Sequence, residues 1–250
     1  MKNLLKEKLL HGDEVIGTFV TLPHPDVTEM LSRAGFDWLL IDSEHAVTGL
    51  ETMTAMMQAM NGTDCTPIVR PEWNDIVVIK RILDIGAHGV LIPWVNTREE
   101  AEYAVEACKY PPAGLRGYGP RRAKMLDPDY MQTANDEIMV IVQIETRDAV
   151  TNINEILAVD GIDACYIGPN DLCLSYGNIP PHWENPEYLA AFDTVLEAAD
   201  KAGKPAGIFA SSDNIQWAKE KGFTLNTVDD SDAFLKNGAE SALKAFRGSD

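Results

Sequence analysis

The sequence has little of what a covalently braced, membrane-borne or nucleic-acid-binding protein would need. Its four cysteines, Cys65, Cys108, Cys165 and Cys173, form no Cys-x-x-Cys pair and stand in apolar or helical stretches. That argues against a disulfide framework and a structural zinc site, and it reads as the reduced thiols of a cytoplasmic protein. No run approaches the roughly 18 apolar residues of a membrane span, and the alternating lysines and leucines of residues 1–10 lack the apolar centre of a signal peptide. Basic residues are scarce as well. Against 39 Asp and Glu stand 21 Lys and Arg, giving a net charge of −18, so a sequence-independent grip on nucleic acid or an anionic membrane is disfavoured. An anionic substrate has to be captured by local charge.

What the sequence does have is apolar content, 45% of 250 residues, enough to bury one large core, and no linker or composition break divides residues 1–250. Short β-branched runs at 15–20, 38–41, 67–69, 89–93, 139–144, 164–167, 206–209 and 224–228 read as strands buried on both faces. Between and after them, segments 25–34, 49–60, 76–85, 98–108, 149–158, 187–202, 212–221 and 231–246 carry apolar residues at helical spacing. Eight of each predict a single (β/α)₈ TIM barrel. The methionines Met53, Met56, Met57 and Met60 fall on one helix face and are read as core. The longest stretch without a pattern runs from Tyr110 to about Asp136. It contains Gly114, Gly117 and Gly119, whose order does not match a dinucleotide fingerprint, and it is expected to be an irregular loop reaching over the barrel mouth.

In such a barrel, chemistry sits where strands end. The second strand ends in Asp42-Ser43-Glu44-His45, the third in Arg70-Pro71, the fifth in Gln143-Ile144-Glu145, and the sixth in Gly168-Pro169-Asn170-Asp171. Each charge alone has a bland explanation as a cap or surface ion pair. Together, on one rim, they point to a site. Glu145 and Asp171 suit a hard divalent cation, Mg²⁺, Mn²⁺ or Co²⁺. Arg70 is a fixed cation able to stabilise an enolate oxygen, and the backbone of residues 168–171 is a candidate carboxylate cradle. His45 is a candidate general base with Asp42 orienting its ring. Asp84 precedes its strand, which makes an ion pair or subunit contact its better role. His11, His24, His88 and His182 lack ligand spacing. No lysine falls at a strand end, so none is placed to form a Schiff base.

The stretches Gly35-Phe36-Asp37-Trp38-Leu39-Leu40-Ile41-Asp42-Ser43-Glu44-His45, Pro67-Ile68-Val69-Arg70-Pro71, Tyr110-Pro111-Pro112-Ala113-Gly114-Leu115-Arg116-Gly117, Gln143-Ile144-Glu145 and Ile167-Gly168-Pro169-Asn170-Asp171-Leu172 together resemble the HpcH/HpaI aldolase family, in family order from near Gly17 to about Ala210. The resemblance implies a class II pyruvate aldolase with metal ligation by Glu145 and Asp171, enolate stabilisation by Arg70, and a water-assisted base at His45 oriented by Asp42. It further implies carboxylate binding by the backbone of residues 168–171, Gln143 beside the metal, and a homo-hexamer whose C-terminal helix packs on a partner subunit. Phe19 stands at the position that lines the acceptor pocket. The Gly119-Pro120-Arg121-Arg122 form of the long loop is similar to the hydroxypyruvate aldolase branch and makes Arg121 and Arg122 candidates for the acceptor's side of the site. The substrates implied are a 2-oxo acid and an aldehyde. Two alternatives stay open: a phosphoenolpyruvate- or acyl-CoA-utilising barrel lyase or mutase, for which only Arg116, Arg121 and Arg122 cluster, and a non-enzymatic small-acid binding protein.

Overall fold

Strands that read as continuous apolar runs need cover on both faces, and a closed barrel ringed by helices supplies it. The computed structural model, which describes residues 2–180 and 185–248, has β1 (Val15–Val20), β2 (Trp38–Asp42), β3 (Thr66–Arg70), β4 (Gly89–Ile92), β5 (Met139–Ile144), β6 (Ala164–Ile167), β7 (Ala206–Ala210) and β8 (Leu225–Asp230). Each pairs in parallel with its sequence neighbour and β1 closes on β8, so the chain is a single (β/α)₈ TIM barrel. The strands expected from sequence are met to within one or two residues. His182 lies outside the described residues.

The helices are α1 (Leu4–Leu10), α2 (Pro25–Ser32), α3 (Leu50–Ala59), α4 (Ile76–Asp84), α5 (Arg98–Cys108), α6 (Arg121–Leu126), α7 (Tyr130–Glu137), α8 (Arg147–Thr151), α9 (Ile153–Leu157), α10 (Pro169–Ser175), α11 (Pro186–Ala202), α12 (Ile215–Lys221) and α13 (Ser231–Arg247). Three departures from expectation have local causes. The amino-terminal lysine–leucine stretch is α1: Asn3 caps it, and its buried Leu5 and Leu9 join Val15, Trp38 and Met139 at the closed end of the barrel. The stretch from 110 to 136 is not wholly irregular, because α6 and α7 form inside it. Their polar sequences carry too few apolar residues to show a period, and they are anchored by buried Ala123, Tyr130 and Ala134. The expected helix 149–158 is split at Asn152, whose side-chain amide donates to the Asn96 carbonyl.

Two cores result. The larger lies between strands and helices and takes in the methionines of α3. The smaller fills the barrel interior with Phe19, Trp38, Leu40, Ile68, Leu91, Ile141, Tyr166 and Leu225. Close filling makes glycine obligatory at some interior positions. A Cβ at Gly207 would stand 2.2 Å from the Leu225 carbonyl oxygen and 2.6 Å from Cδ2 of Tyr166. Gly207→Ala should therefore lower unfolding stability by about 1–3 kcal/mol, read from urea denaturation. An unchanged midpoint would contradict the packing described.

Candidate active site

Strand alternation carries the polar residues into the cavity. Trp38 and Leu40 point into the barrel, so Asp42 two residues on does also; Ile68 leads to Arg70 in the same way, Met139 and Ile141 to Gln143 and then Glu145, and Tyr166 to Gly168. The register of β2 with β3 sets Asp42 directly beside Arg70. The cavity so formed has a volume of about 190 Å³ and is lined by Phe19, Thr21, Asp42, His45, Arg70, Gln143, Tyr166, Gly168, Pro169, Asn170, Asp171, Phe209 and Asp230.

Arg70 is its organising charge. Nε donates to Asp42 Oδ1 at 2.9 Å and Nη2 to Oδ2 at 2.8 Å, while Nη1 stands 3.2 Å from Glu44 Oε2. The fork is the geometry in which guanidinium and carboxylate bind most strongly. The Phe19 ring covers it, with its centroid 5.0 Å from Cζ. Burial opposes the charge on Arg70, but the hydrogen bonds and charge of Asp42, with Glu44 and Glu145 behind them, outweigh it and raise its pKa.

Two carboxyls are held in the opposite sense. Burial pushes Glu44 up to about 7, with Arg70 opposing and the charges of Asp42 and Asp171 adding to the rise. Burial likewise pushes Glu145 up to about 7, although the Trp94 N–H and the Gln143 amide both favour its ionised form. Trp94 N–H donates to Glu145 Oε1 at 2.7 Å, and Gln143 Nε2 donates to Oε2.

These residues fit a hard divalent cation. Gln143 Oε1 is buried with no hydrogen-bond partner. Gly168 leaves open a space in which a Cβ would lie 2.9 Å from both Gln143 Nε2 and Glu145 Oε2. The negative charges of Glu44, Glu145 and Asp171 disfavour one another, a conflict that a dication relieves. Among the described residues no three His, Cys, Asp or Glu side chains are placed to hold an ion by themselves. Glu145 and Asp171 are therefore suited to a metal that keeps water and substrate oxygens.

The structure brings together Phe19, Asp42, His45, Arg70, Gln143, Gly168, Pro169, Asn170 and Asp171 around one cavity, with Glu145 buried beside Gln143 and Gly168. It corrects several expectations. Asp42 does not orient the His45 ring: both of its oxygens are engaged by Arg70, and its only contact with His45 is to the backbone N–H, at 3.5 Å. The fork outcompetes a single imidazole bond, and the imidazole, 64% exposed, has Nε2 3.8 Å from Glu44 Oε2. In the expected carboxylate cradle of residues 168–171, Gly168 N–H is taken by the Ile144 carbonyl and Pro169 has none, leaving Asn170 and Asp171 as donors.

Asp84, Arg121 and Arg122 are not at the mouth of their own barrel. Asp84 ends α4 and binds Arg116 at 2.8 Å, and Arg122 donates to the carbonyl of Ile85, just before β4 begins. Both positions belong to the end opposite the strand termini, because α4 runs back from the mouth. Arg116, inaccessible and donating also to the Tyr130 hydroxyl, is a structural residue and not a phosphate contact. Glu44, Trp94, Tyr166 and Phe209 join the site without a role assigned from sequence. Alternation could have found Tyr166, two residues before Gly168; nothing local in the sequence marks Trp94.

The sequence profile of the HpcH/HpaI aldolase/citrate lyase family matches residues 15–228. The chain is 42% identical over 255 aligned positions to the 4-hydroxy-2-oxo-heptane-1,7-dioate aldolase of Klebsiella pneumoniae, covering 98% of this chain and 94% of that one. Its fold is similar to an HpcH/HpaI aldolase/citrate lyase family protein from Burkholderia cenocepacia, with TM-score 0.94, 32% identity, and 99% and 100% of the two chains covered. It is also similar to an HpcH/HpaI aldolase from Desulfitobacterium hafniense, with TM-score 0.92, 32% identity, and 99% and 98% covered. A family match over the whole barrel and a cavity lined by the residues that carry the resemblance agree: this chain belongs to the HpcH/HpaI aldolase/citrate lyase family and is an enzyme of its carbon–carbon lyase class.

Proposed function

We propose that the enzyme forms and cleaves 4-hydroxy-2-oxo acids, with pyruvate or hydroxypyruvate as the enolate-forming donor and an aldehyde as acceptor. The observation that carries this is the buried Arg70 guanidinium, fixed by Asp42, in one small cavity with Gln143 and Asp171, with Glu145 bound to Gln143 behind the cavity wall. A bound Mg²⁺, Mn²⁺ or Co²⁺, held by Glu145 and Asp171, would polarise the ketone of the donor. In cleavage, His45, acting through water, takes the proton of the 4-hydroxyl as the C3–C4 bond breaks. The bonding electrons move to the 2-oxo oxygen, whose charge Arg70 stabilises, and C3 then accepts a proton to release the 2-oxo acid. The N–H groups of Asn170 and Asp171 receive the donor's carboxylate, and Phe19 with Phe209, 5.3 Å apart edge to face, walls the cavity.

A homo-oligomer, and a hexamer by family resemblance, is supported by α13. Of that helix only Ser231 is buried, and Leu235, Leu243 and Phe246 are exposed, a face that a partner subunit would cover. No helix of the described residues is long and apolar enough to cross a membrane, and the four free, buried thiols fit the cytoplasm.

A metal ion and a proton would compete for the Glu145 carboxylate, because a ligand must be deprotonated. Chelation should abolish turnover and Mg²⁺, Mn²⁺ or Co²⁺ should restore it. Mn²⁺ affinity, followed by electron paramagnetic resonance, should weaken as the pH falls from about 8 to about 6, through the value of about 7 to which Glu145 is pushed. Full activity in metal-stripped enzyme, or affinity flat across that window, would count against the assignment.

Enolate formation and acceptor handling separate in the variants. Arg70→Ala should lower aldol cleavage and deuterium exchange into the pyruvate methyl group together, by about a hundredfold to a thousandfold. His45→Ala should damage cleavage far more than exchange, which needs no acceptor hydroxyl. Both rates are read by NMR; if His45→Ala abolishes exchange and Arg70→Ala spares it, the two roles are reversed.

A further inference from the structure

At the end of β4 the backbone takes a conformation that bulky residues avoid: Trp94 has φ 56°. Outside glycine, left-handed backbone persists where the surroundings impose it, and such positions cluster at functional sites. Here the consequence is specific. The Trp94 N–H donates to Glu145 Oε1 at 2.7 Å, from a neighbouring strand end.

The peptide is secured on its other side too. The Trp94 carbonyl accepts from Asn96 Nδ2 at 2.9 Å, and Asn96 Oδ1 accepts the hydroxyl of Thr146, the residue after Glu145. Asn96 N–H donates to Glu100 Oε2 at 2.6 Å. The indole packs near Trp73, with centroids 6.2 Å apart and planes 31° apart. Two adjoining strand ends are thus tied residue to residue, Trp94 to Glu145 and Asn96 to Thr146.

We propose that Trp94 is a positioning residue for Glu145: its left-handed backbone aims the N–H at Oε1, fixing the carboxylate so that Oε2 stays on the side of Gln143 and Gly168 and Glu145 would be preset to hold a divalent cation. This rests on Glu145 being a metal ligand. The working part is the backbone, not the indole, which reverses the order of substitutions expected from packing. Glycine adopts positive φ without a Cβ penalty. Valine, β-branched, resists it, and proline removes the N–H and holds φ near about −65°.

The test is Mn²⁺ affinity by electron paramagnetic resonance on the full chain, with far-UV circular dichroism to verify folding, for Trp94→Gly, Trp94→Val, Trp94→Pro and Glu145→Gln. Trp94→Gly should bind Mn²⁺ as the parent does, although it loses the most side chain. Trp94→Val and Trp94→Pro should bind about 10–100-fold more weakly, the usual cost of removing a group that orients a metal ligand. If the proline variant does not fold, the comparison of glycine with valine decides. Equal affinities for those two, or glycine weaker than valine, would overturn the proposal while a loss of binding in Glu145→Gln left the ligand assignment standing. Normal binding by Glu145→Gln would overturn both.

Discussion

The buried fork between Arg70 and Asp42 sets the charge at the mouth, with Glu44 at its third nitrogen and Glu145 close enough to act on Arg70. Five carboxylates, Asp42, Glu44, Glu145, Asp171 and Asp230, share the region with that one guanidinium. Breaking a buried pair by deleting one partner typically costs about 3–5 kcal/mol, because the other charge is left uncompensated. Arg70 is thereby kept ionised and immobile in a cavity whose burial opposes charge. It is also kept from collapsing onto Glu145, since Asp42 occupies Nε and Nη2 and Glu44 stands at Nη1.

One cation does not balance this group. Burial, with the neighbouring carboxylates adding to it, pushes Glu44 and Glu145 up, each to about 7, a strain on their ionised forms that a bound dication would relieve. In the proposed reading an anionic substrate meets an acidic protein through local charge, from Arg70, the metal and two backbone N–H groups, within a chain whose net charge of −18 would otherwise repel it.

Most of this was legible in the sequence because barrel strands advertise themselves twice. Runs such as Trp38 to Ile41 and Met139 to Ile144 show the strand, and the first polar residue after them shows the mouth, because alternation and the strand's direction carry Asp42, Arg70, Gln143 and Glu145 to the same end. Pairing between strands is less legible. That Asp42 serves Arg70 and not His45 depends on the β2–β3 register, which no local pattern states. The long loop misled for a related reason: Arg121 and Arg122 follow α5 and so start from the far end of the barrel, where Arg122 is held by the Ile85 carbonyl. The backbone of Trp94 left no trace in the sequence at all, because tryptophan is the last residue that a positive φ would suggest.

The fork leads to the expectation that Asp42 acts through Arg70, and the rate of deuterium exchange into the pyruvate methyl group, followed by NMR in Asp42→Asn, Arg70→Ala and the double variant, tests it. If the fork is the unit of function, Asp42→Asn slows exchange as Arg70→Ala does and the double variant is little worse than either, the non-additivity of residues that work as one. Asp42→Asn exchanging at the parent rate while losing aldol cleavage would contradict the account, and would return Asp42 to His45.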